Sequence, residues 1–267
     1  MKITSGRSPP LQHFVIPNFV LRDGTTLPQV QVAYKILNVQ NTKIAVSSSP
    51  SNTPNFPSKV DYMDCVDAQY QLLTALNIEK VDVMLGFSMG GQVTYHWLVM
   101  HPSYIKNAVI VCSAAKTSRH NIQFLEAPKA ALESAATPAL GLRAFQELYK
   151  SLGANTQSEW DDVVAGGNYD DWAAEDLLAL TGMWQSGDIG RCISNMQEDQ
   201  RLEHALQKIE ARVLLMPSET DQYFKFYVSQ REAQYIRNAW VEISSSAKDT
   251  PWMNDKIGRF LASNDDD

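Results

Sequence analysis

The sequence predicts an α/β fold, in which a mostly parallel β-sheet is flanked by helices and a block of helices is inserted as a lid. Residues 81–85 form a short apolar run, a helical pattern follows over 89–100, and a second apolar run covers 105–112. A strand, a helix and a strand in this order form a crossover between parallel strands. Strand and helix patterns alternate again after residue 208, whereas 116–207 carries helical patterns alone.

The N-terminal region predicts a β-hairpin. Residues 11–22 and 27–36 alternate apolar and polar side chains around the step Asp23-Gly24, and such a step between two alternating runs favours a tight turn. Lys43–Val46 is a candidate third strand. The following run 47–59 is rich in Ser, Pro and Asn and predicts a loop.

Residues 62–76 have apolar side chains at roughly helical spacing, and Asp61 or Asp64 is the candidate N-cap of this helix. The run 81–85 that follows is apolar except for Asp82, and it ends at Gly86. Continuous apolar runs are typical of strands buried on both faces of a parallel sheet. We therefore expect this strand to be buried on both faces.

The remaining patterns divide the chain into a sheet core and a lid. In order along the chain, they predict helices 122–135, 139–151, 171–185 and 196–208, then strand 211–216, helix 225–237, strand 239–243 and helix 251–262. The sheet core comprises 1–115 and 208–267, and the helical lid comprises 116–207.

Composition narrows the class of protein. The formal net charge of −7 and the pI near 5.3 disfavour nucleic acid and membrane surfaces as partners. The sequence contains no apolar run of about 18 residues. Three cysteines (Cys65, Cys112 and Cys192) lack disulfide or metal-ligand spacing, which suits a reducing compartment. We expect an intracellular protein with a small-molecule partner and no cofactor or metal, and the sequence does not set its oligomeric state.

Gly86–Gly90 matches the pattern G-x-S-x-G between the apolar strand and the helix. A serine on such a sharp strand-to-helix turn projects its hydroxyl above the sheet, and the flanking glycines leave room for it. Ser88 is therefore the candidate nucleophile. The backbone N–H of Met89, at the start of the helix, is the candidate oxyanion donor. A tight turn without a catalytic role is the alternative.

A nucleophilic serine needs a base and a carboxylate that orients the base. Asp221 follows the apolar strand 213–216 and a short turn, so it lies at the carboxyl edge of the sheet, as Ser88 does. Asp221 is the candidate acid, and Glu219 competes with it. The alternative for Asp221 is a cap of the helix that follows.

Of the three catalytic roles, the base is the one for which the sequence offers no histidine at the expected position. Of the five histidines, His13, His96, His101 and His204 lie at positions that favour structural roles. His120 follows the strand that ends at Cys112 and is a weak candidate, although a lid-anchoring hydrogen bond is the favoured interpretation. The loop Ser244–Asp249 after the last strand is where the base is expected, and it has no histidine.

The chain resembles the homoserine O-acetyltransferase-like branch of the α/β-hydrolases, and more closely the fungal members that accompany host-selective polyketide toxins of plant pathogens. The matching stretches span nearly the whole chain: Phe14–Phe19, Gly24–Pro28, Ser49–Pro54, Gly86–Gln92, Thr117–Asn121, Phe124–Glu126, Met216–Asp221 and Trp252–Ile257. The resemblance implies an α/β-hydrolase fold with Ser88 as nucleophile and Asp221 as triad acid. It also implies a peroxisomal alternative to the cytosol, although the chain ends without a targeting tripeptide.

Two departures from the family pattern stand out. Family members carry a few dozen residues between the second strand and the element that corresponds to Ser49–Pro54, with one or two strands and the second oxyanion donor. They also carry a Trp-Gly-His-x-Ala-Gly loop whose histidine is the base. Here Val46 leads directly to Ser47, and Ile243–Ser246 leads to the last helix. We hypothesise two deletions, from missed exons or a decayed gene copy.

Together these features predict a serine hydrolase that acts on esters or thioesters of a small apolar acyl group, in fungal toxin or secondary-metabolite biosynthesis. An O-acyltransferase of the homoserine acetyltransferase type is one alternative. A catalytically impaired remnant that lacks the triad histidine is another. A nucleotide-binding domain is disfavoured, because no phosphate-binding glycine pattern follows a strand.

Overall fold

The computed structural model describes residues 9–38, 41–57, 59–153, 169, 171–246 and 249–263. It contains a three-stranded antiparallel sheet and a four-stranded parallel sheet. The strands are β1 (Gln12–Val20), β2 (Thr26–Asn38), β3 (Asn41–Val46), β4 (Val81–Phe87), β5 (Ile105–Val111), β6 (Arg212–Met216) and β7 (Ala239–Val241). The prediction of an α/β fold with a mostly parallel sheet is confirmed.

The described ranges contain eight α-helices. They are α1 (Tyr62–Ala75), α2 (Met89–Met100), α3 (Arg119–Ser134), α4 (Pro138–Gly153), α5 (Ala174–Ser186), α6 (Glu198–Gln207), α7 (Phe226–Ala233) and α8 (Thr250–Ala262). A short 3-10 helix, Ile189–Cys192, lies between α5 and α6. None of the described helices is long and apolar enough to cross a bilayer.

The N-terminal hairpin forms as predicted. β1 pairs antiparallel with β2, and β2 pairs antiparallel with β3. Gly24 has a φ of 88°, a left-handed conformation that glycine adopts without strain, and the Asp23 carboxylate accepts a hydrogen bond from the Thr25 N–H at 2.8 Å. The cap of α1 is Asp61, whose carboxylate accepts from the N–H of Met63, and Asp64 completes a capping box.

The parallel sheet has the order β4-β5-β6-β7, so the carboxyl ends of all four strands meet at one edge. Helix α2 packs on one face of this sheet within the largest apolar core, where Trp97, Leu98 and Tyr95 are fully buried. Helix α8 covers the other face through Phe260 and its apolar neighbours. This arrangement places the turns after β4, β5, β6 and β7 next to one another.

The prediction that β4 is buried on both faces is wrong. β4 is the first strand of the parallel sheet, and Val83, Leu85 and Phe87 on one of its faces are 38%, 57% and 55% exposed. Their neighbours on β5, Val109 and Val111, are buried because α8 packs over β5 and β6. No described element covers the same face of β4. An apolar run identifies a strand, but it does not reveal which neighbour covers it.

Helices α3 to α6 fall within 116–207, the range predicted as a lid, of which residues 154–168 and 170 lie outside the described residues. The four predicted helices in this range are present within a few residues of their predicted bounds. After β6, helix α7 is shorter than predicted and ends at Ala233. The three cysteines are unpaired thiols.

Candidate active site

Ser88 lies at the sharp turn between β4 and α2. Its φ and ψ are 54° and −121°, a conformation that is strained for a residue with a side chain. The turn is held by the Ser88 N–H, which donates to the carbonyl oxygen of Val111 at 2.9 Å. The residue is half-buried, and its hydroxyl makes no hydrogen bond within the described part of the chain. This strained turn is the geometry that the G-x-S-x-G pattern predicts.

The glycines around Ser88 differ in what they contribute. A Cβ at Gly86 would overlap the carbonyl oxygen of Gly90 and the hydroxyl of Thr94, and a Cβ at Gly91 would lie 2.5 Å from the Cβ of Ser113. A Cβ at Gly90 would meet nothing within 4 Å. Close packing of the strand on the helix therefore requires Gly86 and Gly91, whereas space alone does not require Gly90.

Met89 is the first residue of α2, so its N–H has no carbonyl one helical turn earlier to bind. Backbone N–H groups at a helix N-terminus carry a partial positive charge and attract anionic oxygen. Among the described residues, the Met89 N–H has no hydrogen-bond acceptor, and it lies directly after Ser88. Its position is the one expected for an oxyanion donor.

Asp221 follows β6 at the same edge of the sheet as Ser88. Its carboxylate accepts hydrogen bonds from the backbone N–H groups of Tyr223 at 2.8 Å and Phe224 at 3.0 Å. Burial raises the pKa of this carboxyl group above its ordinary value, and those two N–H groups partly oppose the shift. Glu219, its competitor, is exposed. The carboxylate caps the turn before α7, whose N-cap is Lys225.

Cys112 is a neighbour of Asp221 that the sequence did not single out. It ends β5 with a φ of 46°, and its N–H donates to the carbonyl oxygen of Met216 at 3.1 Å. Its thiol is buried, with its Sγ 4.0 Å from the carbonyl oxygen of Met216, and burial together with the nearby charge of Asp221 raises the thiol pKa to about 12. A protonated thiol is a poor nucleophile, so Cys112 does not compete with Ser88.

The histidines do not complete a triad within the described ranges. His120 is exposed, and its Nε2 lies 3.1 Å from the carbonyl oxygen of Gln222, so it connects the start of α3 to the loop after Asp221. His96 is fully buried, stacks on Tyr62 and binds the carbonyl oxygen of Gln92 through Nδ1 at 2.7 Å. None of the described histidines hydrogen-bonds to Ser88 or to the Asp221 carboxylate.

The loop after β7 lies beside the loop that carries Asp221. Ser244 donates its N–H to the carbonyl oxygen of Pro217 at 3.0 Å and accepts from the N–H of Glu219 at 2.9 Å. Ser245 is exposed directly after this pairing, and Ser246 is half-buried. Residues 247 and 248 of this predicted base-bearing loop lie outside the described residues. Serines therefore occupy the place, next to the acid, where a base is expected.

An apolar cluster connects the nucleophile turn to the acid loop. Its buried members are Ala114, Leu125, Trp184 and Phe224, and Met89 and Tyr223 are among the half-buried side chains packed against them. The Trp184 ring stacks on Phe224 at a centroid distance of 5.3 Å. Residues from α2, α3, α5 and the loop after β6 thus form an apolar surface between Ser88 and Asp221.

Two buried polar groups hold this region together and were not predicted. Gln92 bridges the Tyr62 hydroxyl, at 2.6 Å, and the Thr117 hydroxyl, at 2.9 Å.

Glu232 accepts from the Tyr95 hydroxyl at 2.8 Å and from the Ala115 N–H at 2.9 Å, so it connects α7 to the segment after β5. Glu232 lies one helical turn after the half-buried Val228, so its position on the apolar face of α7 was an available signal.

Glu232 makes stability depend on pH. Burial raises the pKa of its carboxyl group from 4.5 to about 7, so the folded state favours the protonated form. A raised carboxyl pKa contributes stability that is present below pH 4.5 and is lost as the pH rises to 7. We expect this group to lower the free energy of unfolding by about 3 kcal/mol across that interval. In Glu232→Gln the loss should be absent, as urea unfolding at pH 5 and pH 8 would show.

The matched control is Glu133→Gln, because Glu133 is exposed at the end of α3. This variant should keep the pH dependence of the wild type. An equal pH dependence in the wild type and Glu232→Gln would contradict the role assigned to Glu232.

The family of the chain follows from comparison with known proteins. A family model described as the alpha/beta hydrolase fold matches residues 45–249. The chain therefore belongs to the α/β-hydrolase-fold family, which confirms the predicted class of enzyme.

Among curated relatives, an ethyl acetate hydrolase of Pseudomonas veronii is 29% identical over 239 aligned positions, which cover 77% of this chain and 67% of that protein. A probable esterase of Corynebacterium glutamicum is 27% identical over 225 positions, 72% of this chain and 63% of the relative. A homoserine O-acetyltransferase of Zymomonas mobilis is 37% identical over 78 positions, 29% of this chain and 21% of the relative. The chain thus spans about two thirds of these esterases and about a fifth of this acetyltransferase.

Solved structures share the fold over nearly the whole chain. An acetylester hydrolase from Corynebacterium glutamicum superposes with a TM-score of 0.84 at 19% identity, over 95% of this chain and 96% of the other. A homoserine O-acetyltransferase from Staphylococcus aureus superposes with a TM-score of 0.76 at 16% identity, over 96% and 95%. At these identities the likeness shows the fold alone.

The described residues contain no cluster of three His, Cys, Asp or Glu side chains that would hold a metal.

Proposed function

We propose that this protein is a serine hydrolase that cleaves esters, or thioesters, of small acyl groups through an acyl-Ser88 intermediate. The observation that carries the proposal is the strained conformation of Ser88 at the end of β4, directly before the free N–H of Met89. Strained backbone at such a turn is typical of a nucleophile held ready for attack.

In the proposed reaction the Ser88 oxygen attacks the ester carbonyl carbon as its proton passes to solvent water, and the Met89 N–H binds the resulting oxyanion. The C–O bond to the alcohol then breaks, and the alcohol leaves with a proton. Water attacks the acyl-serine and releases the acid. Asp221 serves as the acid that would orient a base, and the cluster around Trp184 receives the acyl group.

The named relatives support short acyl groups. The ethyl acetate hydrolase and the solved acetylester hydrolase are named for acetyl esters. We propose a place in fungal toxin or secondary metabolism on the ground of the family resemblance. We propose an intracellular location because the cysteines are unpaired. We further propose that the helices within 116–207 form a lid over the acyl group.

We also propose that the chain lacks a segment and a base that its family carries. The alignment with the ethyl acetate hydrolase is 239 positions long, but it includes only 77% of this 267-residue chain, which is about 206 residues. About 30 positions of the relative are therefore aligned with gaps in this chain. The uncovered face of β4 supports the same proposal, because a missing element would leave such a face bare. Without a base, catalysis should be limited to about 10³–10⁴-fold over water.

Acyl transfer is the second candidate function. Transfer and hydrolysis share the acyl-serine and differ in whether water or another nucleophile attacks it. The observation that favours transfer is the match of both the sequence and the fold to homoserine O-acetyltransferases. Acetyl transfer from acetyl-coenzyme A to homoserine would distinguish it from hydrolysis.

The test is the hydrolysis of ethyl acetate and ethyl butanoate by the full chain, followed in a pH-stat against Ser88→Ala. We expect slow turnover by the wild type that Ser88→Ala reduces to the background rate. Ser151→Ala, at an exposed position on α4, is the control and should keep the wild-type rate. Equal rates in the wild type and Ser88→Ala would overturn the proposal and favour a non-catalytic remnant.

A further inference from the structure

Trp184 buries a hydrogen-bond donor that has no partner among the residues the structure describes. The residue lies in α5 and is only 4% exposed, and its indole Nε1 makes no hydrogen bond within the described residues. An unsatisfied buried donor is costly, so nearly all buried polar groups in folded proteins have a partner. The backbone around it is well satisfied, since the Trp184 carbonyl oxygen accepts from the Thr117 hydroxyl at 2.5 Å.

A buried acceptor without a partner lies in the same interface. Asn121 in α3 is 1% exposed, and its Oδ1 makes no hydrogen bond within the described ranges. Leu125 follows one helical turn later on the same face of α3 and packs in the cluster that contains Trp184. A donor and an acceptor thus face one helix–helix interface without binding each other.

This interface borders the proposed acyl site. The cluster that contains Leu125 and Trp184 also contains Met89, directly after the nucleophile, and Phe224, whose N–H binds Asp221. An acyl group attached to Ser88 would extend over this cluster. Trp184 therefore belongs to the cluster over which an acyl chain would extend, and Asn121 lies one helical turn from Leu125 of the same cluster.

We infer that Trp184 and Asn121 form a subsite for a hydroxyl group on the acyl chain, so that hydroxyacyl esters are the preferred substrates. The inference rests on the proposed function. The indole N–H only donates and the amide oxygen only accepts, and a hydroxyl group is the smallest group that accepts from one and donates to the other. The aromatic surroundings of Trp184 would hold the hydrocarbon part of the same chain.

The kinetic test compares esters in which a hydroxyl replaces a methyl group. Ethyl 3-hydroxybutanoate is paired with ethyl 3-methylbutanoate, and ethyl 6-hydroxyhexanoate with ethyl heptanoate, each rate being divided by its rate of alkaline hydrolysis. We expect the wild type to favour at least one hydroxy ester by about tenfold in kcat/KM. Trp184→Phe and Asn121→Ala should each reduce that preference to about one.

The control variant is Trp172→Phe, because Trp172 is 45% exposed before α5 and should leave the preference unchanged. A purely structural role of Trp184 would lower the rates for both members of a pair equally. That result would overturn the inference, as would a wild type that favours neither hydroxy ester.

A second readout does not need turnover. The Trp184 indole N–H resonance, identified by its loss in Trp184→Phe, should shift with the N-ethylamide of at least one of the hydroxy acids. It should not shift with the matched methyl amides. If the wild type hydrolyses no ester, the proposed function fails while this shift still supports the subsite. A resonance that responds to no hydroxy amide overturns the subsite and leaves an ordered water as the partner of Trp184.

Discussion

Replacing Ser245 or Ser246 with histidine is expected to raise ester hydrolysis by about 10²-fold in at least one of the two variants. These serines follow the pairing of Ser244 with Pro217 and Glu219, which brings their loop beside Asp221. A general base contributes about 10²–10⁴-fold, and a newly placed imidazole should recover the lower part of that range. The gain should appear as the pH rises through about 6.5, because only neutral imidazole accepts the proton.

The matched controls are Ser245→Asn and Ser246→Asn, which introduce a planar polar group of limited size that cannot act as a base. These variants should hydrolyse esters at the wild-type rate. If neither histidine variant exceeds its asparagine control, or if the gain does not depend on pH, the loop after β7 is not a position from which a base can serve Ser88. Adding Asp221→Asn to the active histidine variant should remove most of the gain, because the carboxylate orients the imidazole.

Gly86→Ala is expected to destabilise the protein by about 3 kcal/mol or more. The new methyl group would overlap the carbonyl oxygen of Gly90 and the Thr94 hydroxyl, and the two are hydrogen-bonded to each other at 3.0 Å. Relief would require moving the first turn of α2 away from β4. Urea unfolding of the variant and the wild type measures the difference.

Gly90→Ala is the matched control, because a Cβ at that position meets nothing within 4 Å. It should keep or slightly raise the free energy of unfolding, since alanine is the better helix former. Equal stability of Gly86→Ala and the wild type would contradict the packing described for the nucleophile turn.

Local patterns were enough to predict most elements of the fold. The step Asp23-Gly24 between alternating strands fixes a hairpin, and the apolar run that ends at Gly86 leads directly into α2. The strained turn at Ser88 was predictable for the same reason, because its geometry depends on neighbouring residues alone. The position of Asp221 at the same edge followed from the parallel order of the strands.

Features that depend on contacts between distant segments were not predictable. The exposure of Leu85 and Phe87 depends on where α8 packs, and the sequence of β4 carries no information on that point. Cys112 binds the carbonyl oxygen of Met216, at the start of the loop that carries Asp221, only because β5 and β6 are neighbours. The unpaired groups of Trp184 and Asn121 arise from the packing of α5 on α3, which no sequence pattern in either helix indicates.

The strained conformation of Ser88 bears on whether this serine can still react. Ser88 keeps its strained conformation, although the loop after β7 has no histidine in its described part or in Ala247 and Lys248. Retention of this strain in a folded protein is understandable if Ser88 still reacts with acyl groups. The serine should therefore be chemically accessible even where turnover is slow.

The most direct test of the central claim, that Ser88 is an accessible nucleophile, is covalent labelling of the folded full chain with a fluorophosphonate. Peptide mass spectrometry locates the adduct. We predict a single adduct on the peptide that contains Ser88, which is lost in Ser88→Ala and retained in Ser151→Ala. A folded wild-type chain that remains unlabelled, or an adduct that persists in Ser88→Ala, would contradict the claim.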